Sequence, residues 1–177
     1  QDHARASRMQ SAGDFRTDPA GHMRFALFVQ PATSARRVGR IVQRLCEIET
    51  YRAMSMLGLM RSRDLGARLN ALDPKLSALV SGLDDGPAPE AALHELLTIS
   101  AELESLAVQF SFRFGATAAY EAIVNQRIEV LREARLGGRQ TFGEFMMRRY
   151  DPAMRTVKSS ETRLRGMAER AERAAEL

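Results

Sequence analysis

The chain is poor in the residues that usually carry chemistry. Its 177 residues include one cysteine and three histidines. A single thiol cannot close an internal disulfide, and Cys46, on the apolar arc of the first long helix, is expected as a small buried hydrophobe. One cysteine and scattered histidines exclude zinc-type ligand spacing. A di-iron bundle needs Glu-x-x-His pairs facing the core; His94 has no such Glu, and His3 and His22 fall in the irregular N-terminal region. His94-Glu95 reads as helix surface, and Met54, Met56 and Met60 as core filler. No P-loop, dinucleotide-binding, nucleophile-elbow or HExxH pattern occurs. Catalysis has no positive signal, so the expectation is no enzyme, no cofactor and no metal.

Lysine is almost missing. Of 26 basic residues only Lys75 and Lys158 are lysines, and the net charge is a modest +4. The arginines are interleaved with glutamates along helices, without base-stacking aromatics, so nucleic acid is not an expected partner. Long apolar runs are missing too. The longest, Ala53–Met60, is far short of the roughly 20 residues that span a bilayer. The polar stretch Gln1–Arg16 does not read as a signal peptide.

What is present is a folded chain's balance, 45% hydrophobic and 27% charged residues, enough for a sizeable core. Gln1–Asp14 is unpatterned and reads as a mobile tail. Met23–Val29 is a β-prone run between an Asp-Pro-Ala-Gly turn and Pro31. A lone strand is unstable, so it is expected to pair with a missing sheet, a partner or another copy. Thr33 or Ser34 caps a helix to about Leu72, with a possible bend at Gly66. Asp73-Pro74 reads as the start of a short helix to about Leu83, followed by a loop at Asp84–Pro89.

The next helix starts near Glu90 and is apolar around most of its circumference, which predicts burial on several sides. It is expected to kink at Gly115, run to about Leu136 and stop at Gly137-Gly138. Thr141 and Glu144 form a capping box for the last helix, which Asp151-Pro152 restarts or kinks. Beyond it runs a heptad of Val157, Ser160, Leu164, Met167, Ala171 and Ala174. The fold class is therefore mainly α, with long antiparallel helices, bundle- or coiled-coil-like, and one short N-terminal β-strand. Residues 1–31 are a tail plus the strand at 23–29, and 32–177 an elongated helical domain. The last helix has no stop signal and reads as continuing in a longer protein.

Charges stand out on the apolar faces. At roughly 100° per residue, Ile41, Leu45, Ile48, Val38, Met56, Val42, Met60, Ala53 and Cys46 share one arc, and Glu49 and Arg52 fall inside it. The same projection puts Arg127 amid Tyr120, Ile123, Val124 and Leu131, and Glu104 amid Leu93, Leu97 and Val108. Burying charge is costly unless it is paired. Glu49, Arg52, Glu104 and Arg127 are thus expected as a balanced buried network that fixes helix register, the alternative being an ion site.

The segments ARRVGRIVQRLCEIETYRAMSMLGL, FGATAAYEAIVNQRIEVLREARLGGRQTFGEF and MMRRYDPAMRTVKSSETRLRGMAERAERA resemble a family of bacterial membrane-anchored proteins known as domain of unknown function 3422. The resemblance covers Met23–Leu177 and is most specific at Gln43–Arg52, Tyr120–Arg127 and Arg148–Thr156. The chain departs from the family pattern at Met54-Ser55-Met56 and at Cys46, where Leu is usual. The resemblance implies a soluble part held at the bacterial inner membrane, on the cytoplasmic side, by a C-terminal stalk and hydrophobic segments outside these residues. It implies no activity and no catalytic residues. The expected role is non-catalytic, through self-association or protein partners. A cytosolic regulatory domain of a CorA-like ion transporter, an analogy of layout, is the first alternative, and weak nucleic-acid binding the second.

Overall fold

The computed structural model describes residues 10–82, 89–133, 135 and 138–176, without the side chains of 10, 12, 14, 15 and 89. The elements are β1 (Gln10–Thr17), β2 (Met23–Phe28), α1 (Ala35–Ser81), α2 (Pro89–Leu131) and α3 (Phe142–Ala175). The fold is mainly α, as the sequence predicts: three packed helices and a two-stranded antiparallel sheet. The chain divides into two compact units, Gln1–Met54 with Tyr120–Pro152, and Ser55–Ala119 with Ala153–Leu177, and every helix contributes to both.

The first unit carries the sheet, and here the sequence reading needs correction. The β2 strand is not alone; it pairs with residues 10–17, part of which were expected as tail. The register runs from Gln10 opposite Phe28 to Gly13 opposite Phe25, with an irregularity before Thr17 opposite Met23. β1 has no apolar alternation of its own; the turn fixes it. The Asp18 Oδ1 accepts hydrogen bonds from the N–H groups of Ala20 and His22 at 3.0 and 2.9 Å, and Gly21 takes the left-handed φ of 86°. On β2, Met23, Phe25 and Leu27 are half-buried in alternation, and Phe25 meets Phe142 edge-on at 5.8 Å.

Ser34 is the residue that opens α1, its carbonyl accepting from Arg37 and Val38. The core of this unit is Ile41, Leu45, Ile48, Val124, Leu131, Phe142, Met146 and Tyr150. Helix α2 ends at Leu131, five residues before the expected stop, because Arg132 turns into the left-handed region at φ 49°. Gly138 also has positive φ, but beyond the helix; Leu136 and Gly137 lie outside the described residues. The capping box forms reciprocally at 3.1 Å in both directions, Thr141 N–H to Glu144 and Glu144 N–H to Thr141 Oγ1.

The second unit is built on buried positions stepping by three and four. On α1 these are Ser55, Gly58, Ser62, Leu65, Leu69, Leu72 and Leu76; on α2, Leu96, Ile99, Leu103, Leu106, Phe110, Phe114 and Thr117; on α3, Met154, Val157, Leu164, Met167, Ala171 and Ala174, with one step of seven across the half-buried Ser160. Of the predicted heptad, Ser160 is half-buried and the rest are buried. Such steps average near 3.5, and an arc drawn at 3.6 residues per turn drifts off that seam by about 20° per heptad. Several residues placed on the inward arc of α1 are exposed, namely Cys46, Val42, Ala53 and, at 62%, Met60; each lies about 100–140° around the helix from Ile41, on the flank of the buried line, so the projected arc is too wide.

Small side chains on α1 let α2 approach closely. A Cβ on Gly58 would lie 2.2 Å from Thr117 Oγ1 and 2.9 Å from its Cβ. Pro74 was expected to open a new helix, yet α1 runs through it. Proline inside a helix costs about 3 kcal/mol, but each buried leucine beside it, Leu69, Leu72 and Leu76, contributes about 1.5–3 kcal/mol. Packing wins, and Asp73 turns its carboxylate to α3 instead of capping. The expected end of that helix at Leu83 and the loop after it lie outside the described residues, except that Pro89 begins α2.

Candidate functional site

In the first unit, Arg52 grips Glu49 one turn back on the same helix: Nη2 to Oε2 at 2.7 Å, and Nε to Oε2 and Oε1 at 3.0 and 3.2 Å. The pair is largely covered, with 26% of the Arg52 and 16% of the Glu49 side chain exposed. Arg127 pairs across from α2 to α1, but with Glu47, its Nε 2.5 Å from Oε2. Glu47 is an ion-pair partner that the helical projection does not mark, since a helical wheel ranks faces and not the reach of an arginine from a neighbouring helix. Arg44 Nη1 donates to the Val130 carbonyl at 3.5 Å, and the rings of Tyr51 and Tyr120 lie 5.7 Å apart. Contacts 44–130, 47–127 and 51–120 fall in reverse order, so α1 and α2 run antiparallel here.

Glu104 does not share the inward setting drawn for it. It lies exposed on α2 in the second unit, in a shallow groove with Ala101, Ser105, Ala107, Val108 and Gln109. The four charges thus supply one local pair, one cross-helix pair completed by Glu47, and one outward carboxylate.

Two further carboxylates hold elements together. The Glu133 side chain accepts from Ser11 Oγ on β1 and from the Gly143 N–H at the start of α3, the latter at 2.9 Å. It fixes the hairpin to a helix N-terminus whose N–H groups need acceptors. Asp73 on α1 accepts from Arg170 at 2.5 Å and Arg163 at 3.1 Å, both on α3. These hydrogen bonds, Arg170 first, hold the Asp73 carboxyl below its ordinary value. Asn70 pairs with Arg163 and Ser77 with Arg170, an ascending order that makes α1 and α3 parallel in this unit. At the capping box, the Thr141 N–H and then Arg135 likewise lower the Glu144 carboxyl.

The largest departure from the sequence reading is the outward face of α2. This helix was expected to be buried on several sides, yet Leu93, Leu97, Val108 and Phe112 are exposed, Val108 by 77% and Phe112 by 80%. On the helix Leu97, Val108 and Phe112 face away from the buried row Leu96, Leu103, Phe110 and Phe114, and Leu93 lies on its flank. Between them stand Ala101, Glu104 and Ser105, and Glu104 is the one acidic or basic residue within the stripe. Apolar residues occupy both faces of α2, and only one face is used by the core of this unit.

Among the described residues no group of three His, Cys, Asp or Glu is placed to hold a metal, and no helix is long and apolar enough to cross a membrane. The charged groups brought together are hydrogen-bonded pairs across or along helices, suited to fixing register. The α2 stripe is an exposed apolar face among the described residues. The chain belongs to the family of proteins of unknown function designated DUF3422, whose model matches residues 3–177. No curated protein and no solved structure matches it.

Proposed function

We propose that this member of the DUF3422 family acts without catalysis, as a helical interaction domain that works through self-association or protein partners. In the same reading the domain is held at the cytoplasmic face of a bacterial inner membrane by segments outside these residues. The observation that carries the interaction reading is the outward stripe of α2. Leucine, valine and phenylalanine so exposed are costly to leave in water, and contact with another molecule would cover them. No feature of the structure favours the transporter-like or nucleic-acid readings over this one.

The test is site-specific photocrosslinking in cells producing the full-length gene product, with the photoreactive residue at Val108 or Phe112 and a control at exposed Glu102. Discrete crosslinked protein bands from the two stripe positions and not from Glu102 are expected. Absence of any crosslink from the stripe would overturn the interaction reading. Membrane fractionation of the same cells tests the anchoring: recovery of the protein wholly in the soluble fraction would contradict it.

A further inference from the structure

We infer that the end of the first unit where α1 begins and α2 gives way to α3 is a contact surface for an anionic lipid bilayer. Arginines there hold the phosphate layer, and Phe28 and Val29 enter the boundary of the acyl region. The inference is independent of the interaction reading, which concerns α2 in the second unit.

The fold gathers this surface from three separate segments. Arg44 reaches the Val130 carbonyl and Arg127 reaches Glu47, so the first turns of α1 lie at the end where α2 stops. Arg36, Arg37 and Arg40 therefore share that end with Arg132, Arg135 and Arg139, which stand between α2 and α3. The open end of the hairpin is held there too. Glu133 accepts from Ser11 Oγ, and in the sheet Ser11 lies opposite Leu27 and Gln10 opposite Phe28. Phe28 is 50% exposed and the adjoining Val29 45%.

Charge at this end is one-sided. Along the whole chain arginines are interleaved with glutamates, yet residues 30–44 hold four arginines and no acidic residue. The carboxylates near them are mostly engaged. Glu133 is turned to Ser11 and the Gly143 N–H, and Glu144 to the Thr141 N–H and Arg135, which leaves Glu129 exposed. Arg36, Arg40, Arg132 and Arg139 are exposed, and their guanidiniums have no ion pair among the described residues. By contrast Arg52, Arg127, Arg163 and Arg170, which fasten the fold, are each paired with a carboxylate.

The charge selects a phosphate, and the apolar pair selects its form. A guanidinium offers two parallel N–H donors to phosphate oxygens, in a lipid or in a nucleic acid. A duplex would cover the arginines and leave Phe28 and Val29 in water. A bilayer covers both, with apolar side chains at the headgroup–acyl boundary and the charged groups at the phosphates. Arg36 and Arg40 are about 6 Å apart along α1, within one Debye length at physiological salt, about 8 Å. They act on the same patch of an anionic leaflet.

The test is co-sedimentation of the 177-residue chain with vesicles of phosphatidylcholine, alone or mixed with phosphatidylglycerol. Binding is expected to the mixed vesicles only. It should fall steeply between about 0.1 and 1 M salt, as the Debye length drops from about 10 to 3 Å. Arg36→Gln, Arg40→Gln and Arg139→Gln together should weaken it at least about tenfold. Arg63→Gln, Arg155→Gln and Arg173→Gln together, at exposed positions of the second unit, remove the same charge and should change it by no more than about twofold. Circular dichroism checks the helicity of both variants. The chain has no tryptophan, so Phe28→Trp supplies a single reporter, whose emission should move to the blue on the mixed vesicles.

No binding to the mixed vesicles overturns the lipid surface. Equal losses from the two triple variants overturn it as well, because net charge alone would then account for the binding. A bound chain whose introduced tryptophan keeps its emission in water overturns the entry of Phe28. A DNA duplex bound more tightly than the vesicles at the same salt, sensitive to the Arg36, Arg40 and Arg139 changes and indifferent to Phe28→Ser, makes this end a nucleic-acid surface instead.

Discussion

The two units of this chain use the same three helices and cohere by different means. The first, with the hairpin, is fastened by directed polar contacts: the Glu133 clamp, the Thr141–Glu144 box, the Arg127–Glu47 pair and the bidentate Arg52–Glu49 pair. The second is a seam of leucines, phenylalanines and small residues at heptad-like spacing, with Asp73 and its two arginines at one side. Directed contacts specify one arrangement of short irregular segments, where apolar area is limited. A long seam supplies stability by area and leaves a helix such as α2 able to present a second apolar face outward. Specificity is concentrated in one unit, bulk stability and the candidate binding face in the other.

That contrast can be broken most forcefully in the second unit. Leu103 is fully buried, and Leu103→Ala should cost about 3–4 kcal/mol in a urea titration. A loss below 1 kcal/mol would show that the seam is not the source of stability. Gly58→Ala should follow at about 1–3 kcal/mol, because the added methyl meets the body of the Thr117 side chain and not a flexible tip.

In the first unit the effects should be smaller and local. Glu133→Ala removes acceptors from Ser11 and Gly143 and should cost about 1–2 kcal/mol. Amide exchange in β1 and β2 should quicken while α2 residues 96–110 keep their protection; uniform quickening would mean that the clamp is not local. Arg52→Met should cost about 1–2 kcal/mol by leaving Glu49 without its bidentate partner, and replacing both residues should cost less than the sum of the single changes. Additive losses would separate the two side chains energetically.

The smallest effect is pH-dependent. Because Asp73 titrates lower in the folded chain than its ordinary value of 3.8, it stabilises the fold above that pH, and the contribution fades as pH falls through the folded value. Asp73→Asn should therefore flatten the acid limb of thermal stability below about pH 4 and leave its shape near neutrality unchanged. An acid limb identical to that of the parent would remove Asp73 from the account.

The sequence made the helices legible through their apolar periodicity, and Thr141 with Glu144 announced the start of α3. It hid what depends on packing. β1 carries no alternation that marks it as a strand, and its pairing follows from the Asp18 turn. Pro74 reads locally as a helix start because propensity does not register the leucines that hold α1 across it. Arg132 ends α2 through a left-handed backbone that no glycine advertises. The charges were found by face, but which carboxylate Arg127 reaches is set by the neighbouring helix. On α2, apolar residues run around most of the circumference, and that pattern does not say which face the core takes.

The most direct measurement of the central claim is fluorine NMR on chain carrying fluorinated phenylalanine, with Phe110 and Phe114 as buried references beside exposed Phe112. With rising protein concentration the Phe112 resonance should shift and lose its exposure to solvent, while Phe110 and Phe114 stay fixed. A Phe112 signal that remains solvent-exposed and unchanged at every concentration would contradict self-association through this face of α2.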